Sequence, residues 1–279
     1  MKNLVSTANL VSTDYLAAHL SDVRVVDASW YMPDEKRQPA KEFETGHIPG
    51  AVFFDIDGIA DHSANLPHML PTPGEFSKAV GALGIGDGET VVVYDGSGIF
   101  SAPRAWWTLK AMGHNDVKVL DGGFPKWKRE GRAIETGPAQ PKNKFFTAIL
   151  KPALVRDFDA VMGIVKDRSA QVVDARSAAR FNAEEPEPRA GVRGGHMPGA
   201  LNVHYRKLIT DDGTLKPPEQ LRAVFDAVNL DRPIVTTCGS GLTAAILMLA
   251  LDEIGARDVA LYDGSWTEWG SRPEAPVVP

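Results

Sequence analysis

The sequence is one pattern written twice. Val25-Val26-Asp27-Ala28 returns as Val172-Val173-Asp174-Ala175, 147 residues later. Gly46-His47-Ile48-Pro49-Gly50-Ala51 returns as Gly195-His196-Met197-Pro198-Gly199-Ala200, 149 residues later. Asp121-Gly122-Gly123-Phe124 returns as Asp263-Gly264-Ser265-Trp266, 142 residues later. Offsets that drift by only a few residues mean the same fold made twice, with small loop insertions. A period near half of the 279 residues means duplicated domains and not a solenoid.

Each half alternates short β-branched runs with helical patterns. Buried strands are predicted at 23–26, 52–54, 90–94 and 117–120, then at 171–173, 201–203, 234–237 and 259–262. Helices are predicted at 76–83 and 102–111, then at 218–227 and 243–251. This alternation implies an α/β fold: two tandem domains, each a mainly parallel sheet flanked by helices. The stretch around Pro138, Pro141 and Pro152 has no periodicity and reads as a linker. The expected division is 1–135, a linker at 136–152, and 153–279.

Composition narrows the function classes. With 30 Lys+Arg against 36 Asp+Glu, the net charge of −6 offers no basic face for wrapping nucleic acid. Residues 1–7 show no cationic start followed by an apolar run, so no secretory signal is expected. The longest apolar stretch, Ala244 to Leu251, is far short of the roughly 20 residues that span a bilayer. A single cysteine, Cys238, rules out an intramolecular disulfide and suits a reducing cytoplasm. The seven histidines and one cysteine show no metal-ligand spacing, so neither a metal nor another cofactor is expected.

That lone cysteine is either a small core hydrophobe or a reactive thiol, and its setting decides. Ile234-Val235-Thr236-Thr237 is a strand, Cys238-Gly239-Ser240-Gly241-Leu242-Thr243 a Gly-rich loop, and Ala244 to Leu251 an apolar helix. Cys238 thus falls at the carboxyl end of a strand, where open α/β sheets bind ligands. Glycines let the loop curl so that its N–H groups and the helix N-terminus converge in a positive cradle that favours a thiolate. A phosphatase loop of this kind would carry an Arg six residues after the Cys. Here that position is Ala244. The first-half loop, Tyr94-Asp95-Gly96-Ser97-Gly98, has Asp95 at the nucleophile position, so the first domain reads as scaffold.

These motifs resemble the tandem-domain rhodanese-type sulfurtransferases over nearly the whole chain. The Cys238–Thr243 loop is similar to that of 3-mercaptopyruvate sulfurtransferases, with Leu242 where the family usually has Val. Thiosulfate-specific members carry cations just after the Cys, and this loop has Gly239 and Ser240 instead. The resemblance implies transfer of sulfur from 3-mercaptopyruvate to Cys238, release of pyruvate, and discharge of the persulfide to a thiol such as thioredoxin or to cyanide. Arg180 and Arg189 match the two family arginines for the donor's carboxylate and carbonyl. Pairing with Glu184, Glu185 or Glu187 is the alternative role for them. Gly239, Gly241, Leu242 and Thr243 would line the donor. Asp57 and His68 match family positions that form, with Ser240, a Ser/His/Asp proton relay. Arg176 is expected to brace the fold, and His47 and His196, present in both halves, to hold turns. Two rival readings are thiosulfate as donor and a non-catalytic sulfur-carrying or binding module. No nucleic acid or membrane partner is expected.

Overall fold

The computed structural model describes residues 9–279, so the signal-free start read at 1–7 lies outside the described residues. The chain forms two compact units. Unit 1 comprises the chain to Ala60, Pro71–Lys151 and Ile209–Leu215; unit 2 comprises Asp61–Leu70, Pro152–Leu208 and Lys216–Pro279.

In unit 1 the strands are β1 Leu10–Val11, β2 Arg24–Asp27, β3 Val52–Phe53, β4 Val91–Tyr94 and β5 Val117–Leu120. They form one sheet in the order β1-β5-β4-β2-β3, with every pair parallel. Its helices are α1 Thr13–Ala18, α2 Pro39–Thr45, α3 Ile56–Ile59, α4 Pro73–Ala82, α5 Ala102–Ala111 and α6 Gly123–Arg129. Unit 2 repeats the plan. Its strands are β6 Val155–Arg156, β7 Gln171–Asp174, β8 Leu201–Asn202, β9 Ile234–Thr237 and β10 Val259–Tyr262, in the parallel order β6-β10-β9-β7-β8. Its helices are α7 Phe158–Asp167, α8 Ala178–Phe181, α9 Pro218–Val224, α10 Ala244–Glu253 and α11 Ser265–Trp269. The two sheets have the same order, as the repeat requires.

The central strands are buried along their full length, as parallel strands covered on both faces must be. α10 is apolar all round and every residue from Ala244 to Leu251 is buried, which makes it the central helix of unit 2. Phe158, Val161, Trp266 and Trp269 pack with Val172, Val235 and Tyr262 in one core cluster. In unit 1, Val11, Leu16, Phe43, Ile48 and Trp127 form the counterpart. His47 and His196 hold turns as expected: each ring nitrogen Nδ1 meets a carbonyl, Phe43 O at 2.8 Å and Phe181 O at 3.0 Å, and each ring stacks on that same phenylalanine.

Two features of the chain path differ from the sequence reading. The stretch 136–151 has no regular element, yet it is no free linker. It runs along unit 1 as a strap, with bonds from Lys144 N to Gly81 O, Thr147 N to Asp87 Oδ1 and Ile149 N to Met112 O, and it buries Phe146 against Phe76. Each repeat also gives a segment to the other unit. In unit 1, Asp121 Oδ1 accepts Leu215 N at 2.8 Å. In unit 2, Asp263 Oδ2 accepts Leu70 N at 2.8 Å. Leu70 and Leu215 are 145 residues apart, the same spacing as the starts of α4 and α9, so the exchange itself obeys the repeat.

Candidate active site

β9 ends at Thr237, in register beside Asp174 at the end of β7, and delivers Cys238 to the carboxyl edge of the sheet. Cys238 is 2% exposed. The start of α11 pins its backbone. Cys238 N donates to Ser265 Oγ at 3.2 Å, and that hydroxyl donates to Tyr262 O at 2.9 Å. Cys238 O accepts Trp266 N at 2.9 Å. Gly239 O accepts both Thr267 N, at 2.9 Å, and Thr267 Oγ1, at 2.6 Å. Gly241 has φ +78°, a left-handed turn that explains glycine there.

The loop of unit 1 shows what such a cradle holds. Asp95 is 1% exposed; its Oδ1 accepts Ser97 N at 2.8 Å, and its Oδ2 accepts Phe100 N, Ser101 N and Ala102 N at 2.8–2.9 Å. At the repeat offset of 143 the corresponding amides are those of Ser240, Thr243, Ala244 and Ala245. Ala245 N bonds Leu242 O at 3.3 Å. Among the described residues no protein acceptor takes the N–H of Ser240, Thr243 or Ala244. The loop that carries a thiol therefore keeps open the donors that the sister loop spends on its own carboxylate.

Cys238, Gly239, Ser240, Gly241, Leu242, Thr243, Arg180, Arg189 and His68 all belong to unit 2. Arg180 lies on the short helix α8, whose N-cap Ser177 Oγ accepts Arg180 N. It pairs with Glu187, as the alternative role required, and its Nη2 also lies 3.1 Å from where a Cβ on Gly239 would stand. It is thus against the loop, one residue from Cys238. Arg189 Nη1 reaches Thr267 Oγ1 at 3.4 Å, the hydroxyl that bonds Gly239 O. His68 is 5% exposed, has φ +61°, and rides on the segment that Asp263 grips. Asp57 belongs to unit 1, on α3, where its Oδ2 accepts Trp30 Nε1 at 2.8 Å.

Sequence reasoning missed Ser265, the hydroxyl under the Cys238 amide. The signal was the repeat itself, since the matching residue is Gly123. Both have positive φ, 49° and 52°, a conformation that glycine takes freely and serine does not. Arg176 does brace the fold. Its guanidinium forks onto Asp174, donates to Gly195 O at 2.8 Å and lies 4.1 Å over the Trp266 ring. The first repeat has Ser29 at that place, and a cavity of about 210 Å³ opens beside Ser29, Gly46, Gly96 and Phe124. Asp27, the counterpart of Asp174, accepts Ser29 N in place of a guanidinium, and burial pushes its carboxyl up to about 6.

The rhodanese-like domain profile matches residues 12–130 and 158–272, one match in each repeat, and the chain belongs to the rhodanese-like family in its tandem form. Within that family it resembles full-length sulfurtransferases. It is 44% identical to the 3-mercaptopyruvate sulfurtransferase of Escherichia coli K12, over 99% of each chain. It is 44% identical to the mitochondrial thiosulfate/3-mercaptopyruvate sulfurtransferase 1 of Arabidopsis thaliana, over 98% of this chain and 79% of that one. The crystal structure of SseA from Escherichia coli, described as a 3-mercaptopyruvate sulfotransferase, superposes with a TM-score of 0.86 at 43% identity, covering 93% of this chain and 99% of that one. Among the described residues no helix is long and apolar enough to cross a membrane.

Proposed function

We propose that this protein is a sulfurtransferase that takes sulfur from 3-mercaptopyruvate through a persulfide on Cys238. The reading rests on one observation above others. Cys238 stands where the sister repeat has Asp95, and the amides of Ser240, Thr243 and Ala244 are unclaimed where that carboxylate's amide partners stand. Such a cradle stabilises a thiolate and then a persulfide anion without any metal or cofactor.

The Cys238 thiolate attacks the sulfur of the donor. The S–S bond forms, the C–S bond breaks, and its electron pair leaves on carbon as the enolate of pyruvate. Arg180 and Arg189 hold the donor's carboxylate and carbonyl, and stabilise that enolate as charge moves onto oxygen. The proton that completes pyruvate comes through Ser240 and His68, with imidazole as the group suited to proton transfer. An external thiol such as thioredoxin, or cyanide, then attacks the outer sulfur and frees Cys238. The chain has no second cysteine to do this. A free catalytic thiol without a disulfide framework suits a reducing compartment, and the cytoplasm is the assignment we favour.

The loop bears no cation at Gly239 or Ser240, which favours the monoanionic donor over thiosulfate. Steady-state rates with each donor test this. A catalytic efficiency well above that on thiosulfate is expected with mercaptopyruvate, abolished in Cys238→Ser. Preference for thiosulfate would reverse the assignment of the donor. Tagging and fractionation of the host cell test the compartment.

A further inference from the structure

A trans peptide sets its C=O and N–H on opposite sides, so whatever holds the oxygen also aims the hydrogen. The peptide that joins Gly239 to Ser240 is held by its oxygen. Gly239 O accepts Thr267 N at 2.9 Å and Thr267 Oγ1 at 2.6 Å. The N–H of the same peptide, that of Ser240, is one of the open amides of the cradle. A hydroxyl has one hydrogen, and that of Thr267 goes to Gly239 O. Its lone pairs are left to accept Arg189 Nη1 at 3.4 Å.

The sister repeat aims this peptide by other means. There the amide of Ser97 is fixed from inside the loop, by Asp95 Oδ1 at 2.8 Å. The carbonyl behind it, Gly96 O, takes no donor among the described residues. The counterpart of Thr267 is Pro125, which has neither an N–H nor a hydroxyl to give. The bond one residue earlier is common to both repeats. Phe124 N donates to Asp95 O at 3.0 Å, and Trp266 N to Cys238 O at 2.9 Å. Only the grip on the next carbonyl is particular to unit 2.

That grip answers the change from Asp to Cys. With a thiol in the loop, Ser240 N–H lacks the carboxylate that fixes Ser97 N–H, and a glycine at 239 makes rotation of the peptide cheap. A rotated peptide would turn the Gly239 carbonyl inward and set its negative end against a thiolate or persulfide. Thr267 prevents this from outside the cradle and leaves the donor inside it open.

We propose that Thr267 is a positioning residue for sulfur transfer: it grips Gly239 O so that Ser240 N–H stays aimed at the sulfur on Cys238, and it ties Arg189 to the same carbonyl. This rests on Cys238 as the residue that takes up the sulfur.

The test is single-turnover loading of the full chain with saturating 3-mercaptopyruvate and no acceptor, for the parent protein and for Thr267→Ser, Thr267→Val and Thr267→Pro. Pyruvate release gives the rate constant, and intact mass gives the sulfur gained. The rate constant, unlike the amplitude, does not depend on the fraction of a variant that folds. Thr267→Val keeps the shape and the backbone bond but loses the hydroxyl, and is expected to load about tenfold more slowly. Thr267→Pro copies Pro125 and loses both bonds, and is expected to load about a hundredfold more slowly. Thr267→Ser keeps both bonds and is expected to load near the parent rate. The half-saturating donor concentration is expected to rise only about threefold in Thr267→Val, because the bond to Arg189 is long. If Thr267→Val loads at the parent rate, or Thr267→Ser loads as slowly as Thr267→Val, the role given to Thr267 is wrong. If only the half-saturating concentration changes, Thr267 acts through Arg189 alone and the aimed amide is refuted. If the parent protein itself gains no sulfur, the reading of Cys238 fails and the proposal falls with it.

Discussion

Asp95 and Cys238 hold the same place in two repeats of one fold, and the difference between them is a carboxylate that turns inward against four amides where the other repeat has a thiol. One loop geometry thus serves as a closed structural joint in unit 1 and as an open anion cradle in unit 2. The joint explains why unit 1 can keep a Gly-rich loop without chemistry of its own.

Asp95→Ala is expected to destabilise unit 1. It leaves buried amides without their charged acceptor, at a cost of about 2–4 kcal/mol. Urea denaturation should show the loss. Sulfur transfer per folded molecule should stay near the parent value, since the nucleophile loop is untouched.

Asp27 gives stability a pH dependence of unusual sign. Burial raises its carboxyl from 3.8 to about 6 in the folded state. Between those values the folded chain binds the proton that the unfolded chain has lost, so stability falls as pH rises through about 6 and is level above it. The span corresponds to at most about 3 kcal/mol. Asp27→Asn should abolish this fall and gain stability at pH 8, read by thermal melting from pH 4 to 8. A parent protein whose stability from this group rises over the same range would contradict it.

Ser265 holds the Cys238 amide at the expense of a left-handed backbone. Ser265→Gly relieves roughly 1 kcal/mol of strain and loses a hydrogen bond worth about 1 kcal/mol. The melting temperature should therefore barely move, while kcat/KM falls about tenfold from a looser nucleophile. Ser265→Ala keeps the strain and loses the bond, so it should lose both activity and stability.

Asp121 and Asp263 make the same bond in their own units, but only Asp263 secures the segment with His68. Hydrogen exchange should rise at Leu70 N in Asp263→Ala and at Leu215 N in Asp121→Ala. Activity should fall in the first and stay in the second. Equal losses would separate His68 from the chemistry.

Much of this was legible in the sequence because it is local. Strands β5, β9 and β10 and helix α5 match their predicted bounds, since each is a continuous apolar or periodic run between clear breakers. Helix α9 ends at Val224, short of the expected 227, and β3 and β8 are each one residue shorter than expected. The edge strands β1 and β6 have two residues each, too few for any period to show. Helix α7 was overlooked although Phe158, Val161, Ile164 and Val165 mark one face and Asp157 caps it. The exchanged segments were beyond reach, because nothing near Leu70 or Leu215 names a partner at Asp263 or Asp121. In the site, the Cys238 loop and Arg180 announce themselves by motif. Ser265 and Asp263 act through contacts with distant or buried groups, and only comparison of the two repeats hints at the first of them.

The central claim is covalent: one sulfur atom passes from 3-mercaptopyruvate to Cys238. Intact-mass measurement of the full chain after brief exposure to the donor, without acceptor, reads it directly. The expected result is addition of a single sulfur atom, absent in Cys238→Ser and removed by cyanide or a thiol. A chain that gains no sulfur while releasing pyruvate, or one that gains it in Cys238→Ser as well, would contradict the persulfide route.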